Sequence, residues 1–145
     1  MRISMRGDYA IRALVELAHH SGTGPVQSAQ IAARQSVPEP YLDQLLTTLR
    51  KAGFIRSTRG PQGGHELAHD PEDIHLDQVV LALEGSLSPI ACSDEPAGCP
   101  RAPGCVQREV WEKVTQCTKE ILEATSVADL AQRERQQMGQ GMYYI

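Results

Sequence analysis

Three of the four cysteines lie within fourteen residues, at Cys92, Cys99 and Cys105. The segment is rich in proline and glycine, and a glycine directly precedes both Cys99 and Cys105, so the backbone can turn tightly there. Thiolates are the usual protein ligands of iron–sulfur clusters and of structural zinc. Because the spacing lacks the Cys-x-x-Cys pairs of zinc fingers, it favours an iron–sulfur cluster, with zinc or a metal-free thiol switch as the alternatives.

A second group of candidate residues lies on a helix that we predict to follow a tight turn at residues 35–37 and to end near Ala52. Its leucines share one face, so polar side chains such as Gln44 and Thr47 occupy the other. Gln can form two hydrogen bonds with adenine, and Thr can reach a base edge or a phosphate. A solvated helix face would carry the same residue types, and the neighbouring elements therefore decide between the two interpretations.

Those elements are a short helix at about residues 28–34 and two extended runs at 54–58 and 65–68, joined by a Gly- and Pro-rich turn. With a first helix predicted over 8–19, they have the order of a winged helix-turn-helix. The hairpin favours DNA binding, because Arg59 at a narrow tip suits the negative potential of a minor groove. The residues predicted to contact double-stranded DNA are Ser28, Tyr41, Gln44, Thr47, Thr48, Arg50, Lys51, Arg59, Gly60 and Pro61.

The C-terminal half contains a predicted helix at 76–83, an irregular loop at 86–104, a long helix at 106–124 and a last helix at 126–137. The long helix carries an apolar stripe with the alternating spacing of a coiled coil, and no second long helix of the chain covers it. We therefore predict a homodimer that packs through Val110, Trp111, Val114, Cys117 and Ile121. Cys117 is expected to pack rather than to ligate, and the apolar tail at 142–145 is expected to dock on the dimer.

These elements predict a mainly α-helical fold with a small β-hairpin wing. Residues 1–85 form the winged helix-turn-helix DNA-binding domain, 86–105 the cysteine loop, and 106–145 the dimerisation helix and the C-terminal helix. Two helix starts have the spacing of a capping box, Ser36 with Glu39 and Ser126 with Asp129.

Composition and charge indicate a globular chain with a basic front half. The 145 residues are 41% hydrophobic and 22% charged, which excludes a disordered protein. Residues 1–70 carry eight Lys/Arg against six Asp/Glu, and the remainder six against twelve, so the front half suits a polyanion. No apolar run predicts a membrane span or a secretion signal. No nucleophile–base pair, paired-carboxylate motif or phosphate loop favours an enzyme.

Several motifs resemble those of the Rrf2 family of bacterial transcription regulators. They are MRIS at 1–4, DYA at 8–10, YLDQL at 41–45, LRKAG at 49–53 and RGPQGG at 59–64, and the resemblance extends over nearly the whole chain. It implies a cytoplasmic, homodimeric winged-helix repressor that senses redox state, nitric oxide or iron–sulfur status through a cluster in the cysteine loop. The operator would be palindromic. His65 departs from the family pattern, because relatives usually carry an aromatic residue there.

Three cysteines leave one ligand position of a cluster unfilled. In the IscR branch of the family a histidine three residues after the last cysteine fills it, whereas this chain has Arg108 there. In the NsrR branch an aspartate near the N-terminus of the other subunit completes a 4Fe–4S cluster, and Asp8 matches that position. The resemblance thus favours 4Fe–4S over 2Fe–2S, with Asp8, water, a small thiol or no fourth ligand as the options. A regulator of the same fold without metal, controlled by thiol oxidation or a protein partner, is the alternative.

Overall fold

The computed structural model describes residues 2–141, and the predicted docking of the tail at 142–145 lies outside them. Within this range the chain forms a helical body with one hairpin. Its elements are α1 (Met5–His19), α2 (Ser28–Gln35), α3 (Glu39–Lys51), β1 (Ile55–Thr58), β2 (Gly64–Leu67), α4 (Leu76–Glu84), α5 (Ala91–Asp94), α6 (Val106–Glu123) and α7 (Val127–Gly141). Short 3-10 turns add Pro71–Asp73 and Pro96–Gly98. The predicted mainly helical fold with a hairpin wing is confirmed.

The apolar faces of α1, α2 and α3 meet in one core. Leu14, Ile31 and Leu46 are among the side chains that this core buries completely or almost completely. Val79 from α4 and Val127 from α7 are also fully buried, so the C-terminal helix returns to the N-terminal domain of its own chain. The core therefore packs against the apolar face of α3 and leaves its polar face exposed.

The start of α1 is three residues earlier than predicted because Ser4 caps it. The Ser4 hydroxyl accepts a hydrogen bond from the Gly7 N–H and donates one of 2.6 Å to the Glu84 carboxylate at the end of α4. A Cβ on Gly7 would lie 2.6 Å from that carboxylate oxygen, so a larger residue there would displace the Glu84 side chain. These contacts fix the first turn of α1 on the rest of the domain.

Only one of the two predicted capping boxes forms. The Ser126 hydroxyl accepts from the Asp129 N–H at 3.1 Å, and the Asp129 carboxylate accepts from the Ser126 N–H at 2.8 Å. The Ser36–Glu39 box is wrong, because Ser36 ends α2 in the left-handed conformation at φ 54° and Pro38 precedes α3 without a side-chain cap. A capping residue needs extended backbone, which the tight turn between α2 and α3 does not allow at Ser36.

The two strands of the wing pair antiparallel, with Ile55 opposite Leu67 and Thr58 opposite Gly64. The wing is also joined to the segment before α2, since Val26 and His65 exchange two backbone hydrogen bonds of 2.8 and 2.9 Å. Gly64 has φ +149°, and a Cβ there would lie 2.5 Å from the Val26 carbonyl oxygen. The hairpin is therefore held to the segment before α2 at Gly64 and His65, close to the turn that joins its strands.

The loop predicted as irregular over 86–104 contains α5 and the 3-10 turn at Pro96–Gly98. After it, α6 packs on α4 and α5, and none of its residues is buried in the single chain that is described here. The end of α6 is firmly attached, because the Leu76 N–H donates to the Thr125 carbonyl and the Val127 N–H donates to the Ile74 carbonyl at 3.0 and 2.8 Å. Within residues 2–141, no helix is long and apolar enough to cross a membrane.

Candidate nucleic-acid interface and cysteine loop

The polar face of α3 has two flanks, each bordered by a different element. Four leucines turn inward, and the remaining side chains point away from the core. Tyr41, Gln44 and Thr48 form the α1 flank, where they line a shallow cavity together with Arg6 of α1. Asp43, Thr47 and Arg50 form the wing flank, which faces Ser57 and His65 of the hairpin.

On the α1 flank, side chains from α1 contact the polar face of α3, the recognition surface, directly. The Arg6 guanidinium donates to the Thr48 hydroxyl oxygen at 3.3 Å. Tyr9 meets Tyr41 edge to face, with ring centroids 5.7 Å apart. Sequence patterns did not mark Arg6 as a candidate contact, because no periodicity or spacing relates the start of α1 to the middle of α3.

The two threonines of α3 have part of their hydrogen-bonding capacity in use. Thr47 donates its hydroxyl proton to the Asp43 carbonyl at 3.0 Å, and Thr48 donates to the Gln44 carbonyl at 3.1 Å. Each hydroxyl that donates within the helix is left as an acceptor toward other groups, and the Thr48 oxygen already accepts from Arg6. Threonine can contact either a base edge or, through its methyl group, a thymine methyl.

On the wing flank, His65 links three elements. Its Nε2 is 3.0 Å from the Ser28 hydroxyl at the start of α2, and its Nδ1 is 2.8 Å from the Ser57 hydroxyl on β1. Burial lowers the pKa of His65 because it disfavours the imidazolium ion; Asp43 opposes this effect and Arg50 adds to it. Ser28, predicted as a DNA contact, thus lies at the junction of α2 and the wing.

The tip of the wing is exposed at Arg59, Gly60 and Pro61. Gly60 has φ +111°, which favours glycine, and its carbonyl accepts from the Gly63 N–H at 2.9 Å. The side-chain amide of Gln27, just before α2, donates to the Pro61 carbonyl at 3.2 Å. The tip is therefore a structured turn that presents Arg59 to solvent on the same side of the domain as α2.

Within the described residues, the thiols of the cysteine loop are not gathered into one metal-binding group. All four cysteines are free; Cys92, Cys99 and Cys105 are half-buried and Cys117 is exposed. Cys105 is the residue that precedes α6, at the positive end of the helix dipole. Among the described residues, no group of three or more His, Cys, Asp or Glu side chains is arranged to hold a metal ion.

Asp8, the candidate fourth ligand, and Arg108, which stands where the IscR branch has a ligand histidine, are both in ion pairs. Asp8 pairs with Arg12 at 2.9 Å, and both side chains are more than two-fifths exposed. Arg108, three residues after Cys105, pairs with Glu112 at 2.7 Å. The Asp8 pair is a weak surface interaction, and the carboxylate remains accessible to another partner.

Helix α6 has two distinct stripes. Trp111 and Leu122 lie half-buried on the side turned toward their own chain, where Leu122 packs against the core. Val110, Val114 and Ile121 are 55%, 37% and 62% exposed on the neighbouring stripe, which also carries the exposed Cys117. The exposed stripe is therefore apolar surface that the single chain leaves uncovered.

A helix that packs its apolar face on a helical core and exposes its polar face beside a structured wing is the architecture of a winged-helix transcriptional regulator. The model of the Rrf2 family, described as iron-dependent transcriptional regulators, matches residues 3–133. The protein rrf2 of Nitratidesulfovibrio vulgaris is 39% identical over 130 residues, which are 90% of this chain and 87% of that protein. The chain belongs to the Rrf2 family of transcriptional regulators.

Two solved structures agree with this assignment. CymR, the global cysteine regulator of B. subtilis, superposes with a TM-score of 0.78 at 34% identity, over 92% of this chain and 98% of that one. IscR of T. potens superposes with a TM-score of 0.76 at 39% identity, over 92% of this chain and 88% of that one. The relatives are named as regulators rather than as enzymes.

Proposed function

We propose that the chain is a homodimeric repressor that binds a palindromic operator through α3 and the wing, and that an iron–sulfur cluster on the cysteine loop controls this binding. One observation carries the proposal: the loop with its three free thiols leads directly into α6, the helix with the exposed apolar stripe. The proposed cluster loop and the proposed dimer surface on α6 are therefore adjacent along the chain.

The dimer surface is supported by the exposure of Val110, Val114 and Ile121. Apolar side chains at coiled-coil spacing on a helix with no buried residue gain burial only from a partner. A second copy of α6 supplies a matching apolar stripe by symmetry. Two DNA-binding domains then face successive major grooves, about one helical turn apart, and a palindromic operator follows.

Iron–sulfur binding is supported by the donor set. Cys92, Cys99 and Cys105 are free and partly accessible thiols, and soft thiolates are the ligands that such clusters take. The loop would have to draw them together, because they do not converge in this structure. Asp8 of the other subunit is our candidate for the fourth ligand of a 4Fe–4S cluster, and its exposed pair with Arg12 costs about 0.5 kcal/mol to open. A bound cluster would supply a redox- and nitric oxide-sensitive centre at this loop.

Coupling to DNA would pass through α6. Its C-terminal end is held by the bonds of Thr125 and Val127 to residues 74–76, while its N-terminal end follows Cys105. A rearrangement of the loop therefore shifts the free end of α6 and, in a dimer, the separation of the two recognition helices. Because half-site spacing is a strict geometric requirement, such a shift changes operator affinity.

A second candidate is a regulator of the same fold without metal, in which the loop thiols respond to oxidation or to a protein partner. Two observations favour it. The first is that the loop thiols are free but dispersed. The second is that CymR of Bacillus subtilis, which is 35% identical and aligned over the full length of this chain, is described as a global cysteine regulator.

Anaerobic purification, a visible absorption spectrum, and iron and sulfide analysis separate the two candidates. We expect a charge-transfer band and matching iron and sulfide contents in the wild-type protein. Cys92→Ser, Cys99→Ser and Cys105→Ser should each lose them. Cys117→Ser is the matched control, because it removes a thiol that lies twelve residues beyond Cys105 on α6, about 18 Å along the helix.

Full cluster loading in Cys99→Ser, or loss in Cys117→Ser with the dimer intact, would contradict the ligand assignment. A colourless wild-type protein with no iron or sulfide after anaerobic isolation would favour the thiol regulator.

A further inference from the structure

Arg6 brings a positive charge from α1 to the recognition surface of α3. Its side chain is exposed, and its guanidinium reaches the hydroxyl of Thr48 at 3.3 Å on the α1 flank. Arg6 also lines the shallow cavity beside Tyr41 and Gln44. A residue outside the helix-turn-helix therefore forms part of the same continuous surface.

The charge of α3 itself is unevenly distributed. Glu39 and Asp43 lie in its first half, whereas Arg50 and Lys51 lie in its last turn. Arg6 adds a positive charge on the α1 flank beside Thr48, where the α3 side chains Tyr41, Gln44 and Thr48 carry none. A helix in a major groove has a phosphate strand on each side, so each flank of α3 needs a cation.

The position of Arg6 is set before any ligand binds. The neighbouring Ser4 is bonded to Glu84, and Gly7 packs against the same carboxylate. The first turn of α1 is therefore a rigid base for the Arg6 side chain, and rigidity lowers the entropic cost of a contact.

We propose that Arg6 binds a phosphate of the operator strand that borders the α1 flank, opposite to the strand that the wing approaches. This inference rests on the proposed DNA binding and adds a contact that no part of the helix-turn-helix provides. A phosphate is the favoured target, rather than a base edge, because Arg6 approaches from α1 at the rim of the surface while α3 itself occupies the centre.

The test measures binding to two duplexes: one recovered by selection from random-sequence DNA with the wild-type dimer, and a scrambled duplex of equal length and composition. We expect Arg6→Ala to weaken binding to both by about tenfold, the loss typical of one charge-assisted hydrogen bond. The slope of log affinity against log salt should fall by about one. Arg6→Lys should restore most of the affinity, since a phosphate accepts either cation.

Arg135→Ala is the control. It removes one positive charge from α7 beside Glu134, which contacts His19 at the far end of α1, about 20 Å from Arg6 along the helix. This variant should bind both duplexes as the wild type does.

Three results would overturn the inference. The first is that Arg6→Ala binds both duplexes as the wild type does at all salt concentrations, while Arg59→Ala binds them more weakly. This result would show that Arg6 does not contact DNA although the wing does. A loss confined to the selected duplex assigns Arg6 to base recognition instead of phosphate binding. Failure of the wild-type protein to enrich any duplex overturns the proposed function together with this inference.

Discussion

At the scale of single residues, His65 joins three elements of the domain. The imidazole connects β2 to α2 through the Ser28 hydroxyl and to β1 through the Ser57 hydroxyl. Because both ring nitrogens have partners and burial lowers the pKa of His65, the neutral ring serves as a polar link between the wing and α2. The orientation of the tip then depends on a specific set of hydrogen bonds.

Arg59 at the tip is predicted to enter a minor groove. Arg59→Ala should weaken operator binding by about 1–3 kcal/mol and reduce its salt dependence, because one guanidinium leaves the most negative part of the duplex. The measurement is a titration at two salt concentrations. Arg56→Ala is the matched control: Arg56 lies on the same hairpin but pairs with Glu66 at 3.5 Å, so its removal should change affinity little. Identical isotherms for Arg59→Ala and wild type would disprove the contact.

At the scale of elements, a buried carboxylate joins α1 to α2. Glu16 is only 4% exposed and accepts hydrogen bonds from Arg34 at 2.9 Å and from Gln35 at 3.0 Å. Burial by itself raises the pKa of Glu16, but the bonds from Arg34 and Gln35 outweigh it, and the net shift is downward. The ionised form is therefore favoured in the folded state. This contact fixes the angle at which α2, and with it the turn to α3, sits on the body.

Glu16→Gln should lower the free energy of unfolding by about 2 kcal/mol at neutral pH, since charge-assisted hydrogen bonds become neutral ones. A group with a lowered folded-state pKa contributes stability above its unfolded pKa, and loses it as the pH falls through the folded value. The difference between wild type and variant should therefore shrink in acid. Urea unfolding at several pH values measures it.

Glu112→Gln serves as the comparison for this measurement, because Glu112 also pairs with an arginine, at 2.7 Å, but is half exposed. Glu112→Gln should lower the free energy of unfolding by less than about 0.5 kcal/mol. Equal losses in the two variants, or a Glu16→Gln loss that does not depend on pH, would show that burial at Glu16 has no special effect.

At the scale of the whole molecule, the chain leaves one helix without a full set of neighbours. α7 folds back along α1, where His19 and Glu134 are 2.6 Å apart, and the turn before it is bonded to the start of α4. α6 therefore projects from a firmly attached end with its apolar stripe outward. The arrangement separates the winged-helix body from an apolar stripe that the single chain leaves exposed.

We expect the wild-type protein to sediment as a dimer at micromolar concentration. Replacing Val114 and Ile121 with glutamate should shift it to monomer and weaken operator binding, because charges would then face each other across the stripe. Gln116→Glu is the control: it adds a charge about 200° around α6 from Val114 and should leave the dimer intact. A wild-type monomer, or a dimer unaffected by the double substitution, would refute the interface.

The elements and the family were accessible from the sequence by itself, because both depend on local patterns. Leucine spacing defined the inward face of α3, and Ser126 with Asp129 marked the start of α7 correctly. The motifs at 1–4, 8–10, 41–45, 49–53 and 59–64 indicated a regulator family, and the comparisons confirm that family. Each of these signals is carried by residues close together in the chain, where spacing translates directly into geometry.

Only the tertiary structure decided which distant residues meet. Ser36 had the spacing of a helix cap, yet the turn between α2 and α3 placed it in a left-handed conformation. Arg6 reaches Thr48 across 42 positions, His65 reaches Ser28 across 37, and Glu16 reaches Arg34 across 18. Such contacts depend on how the elements pack, because the hydrophobic core sets the distances between their surfaces, and no local spacing in the sequence records those distances.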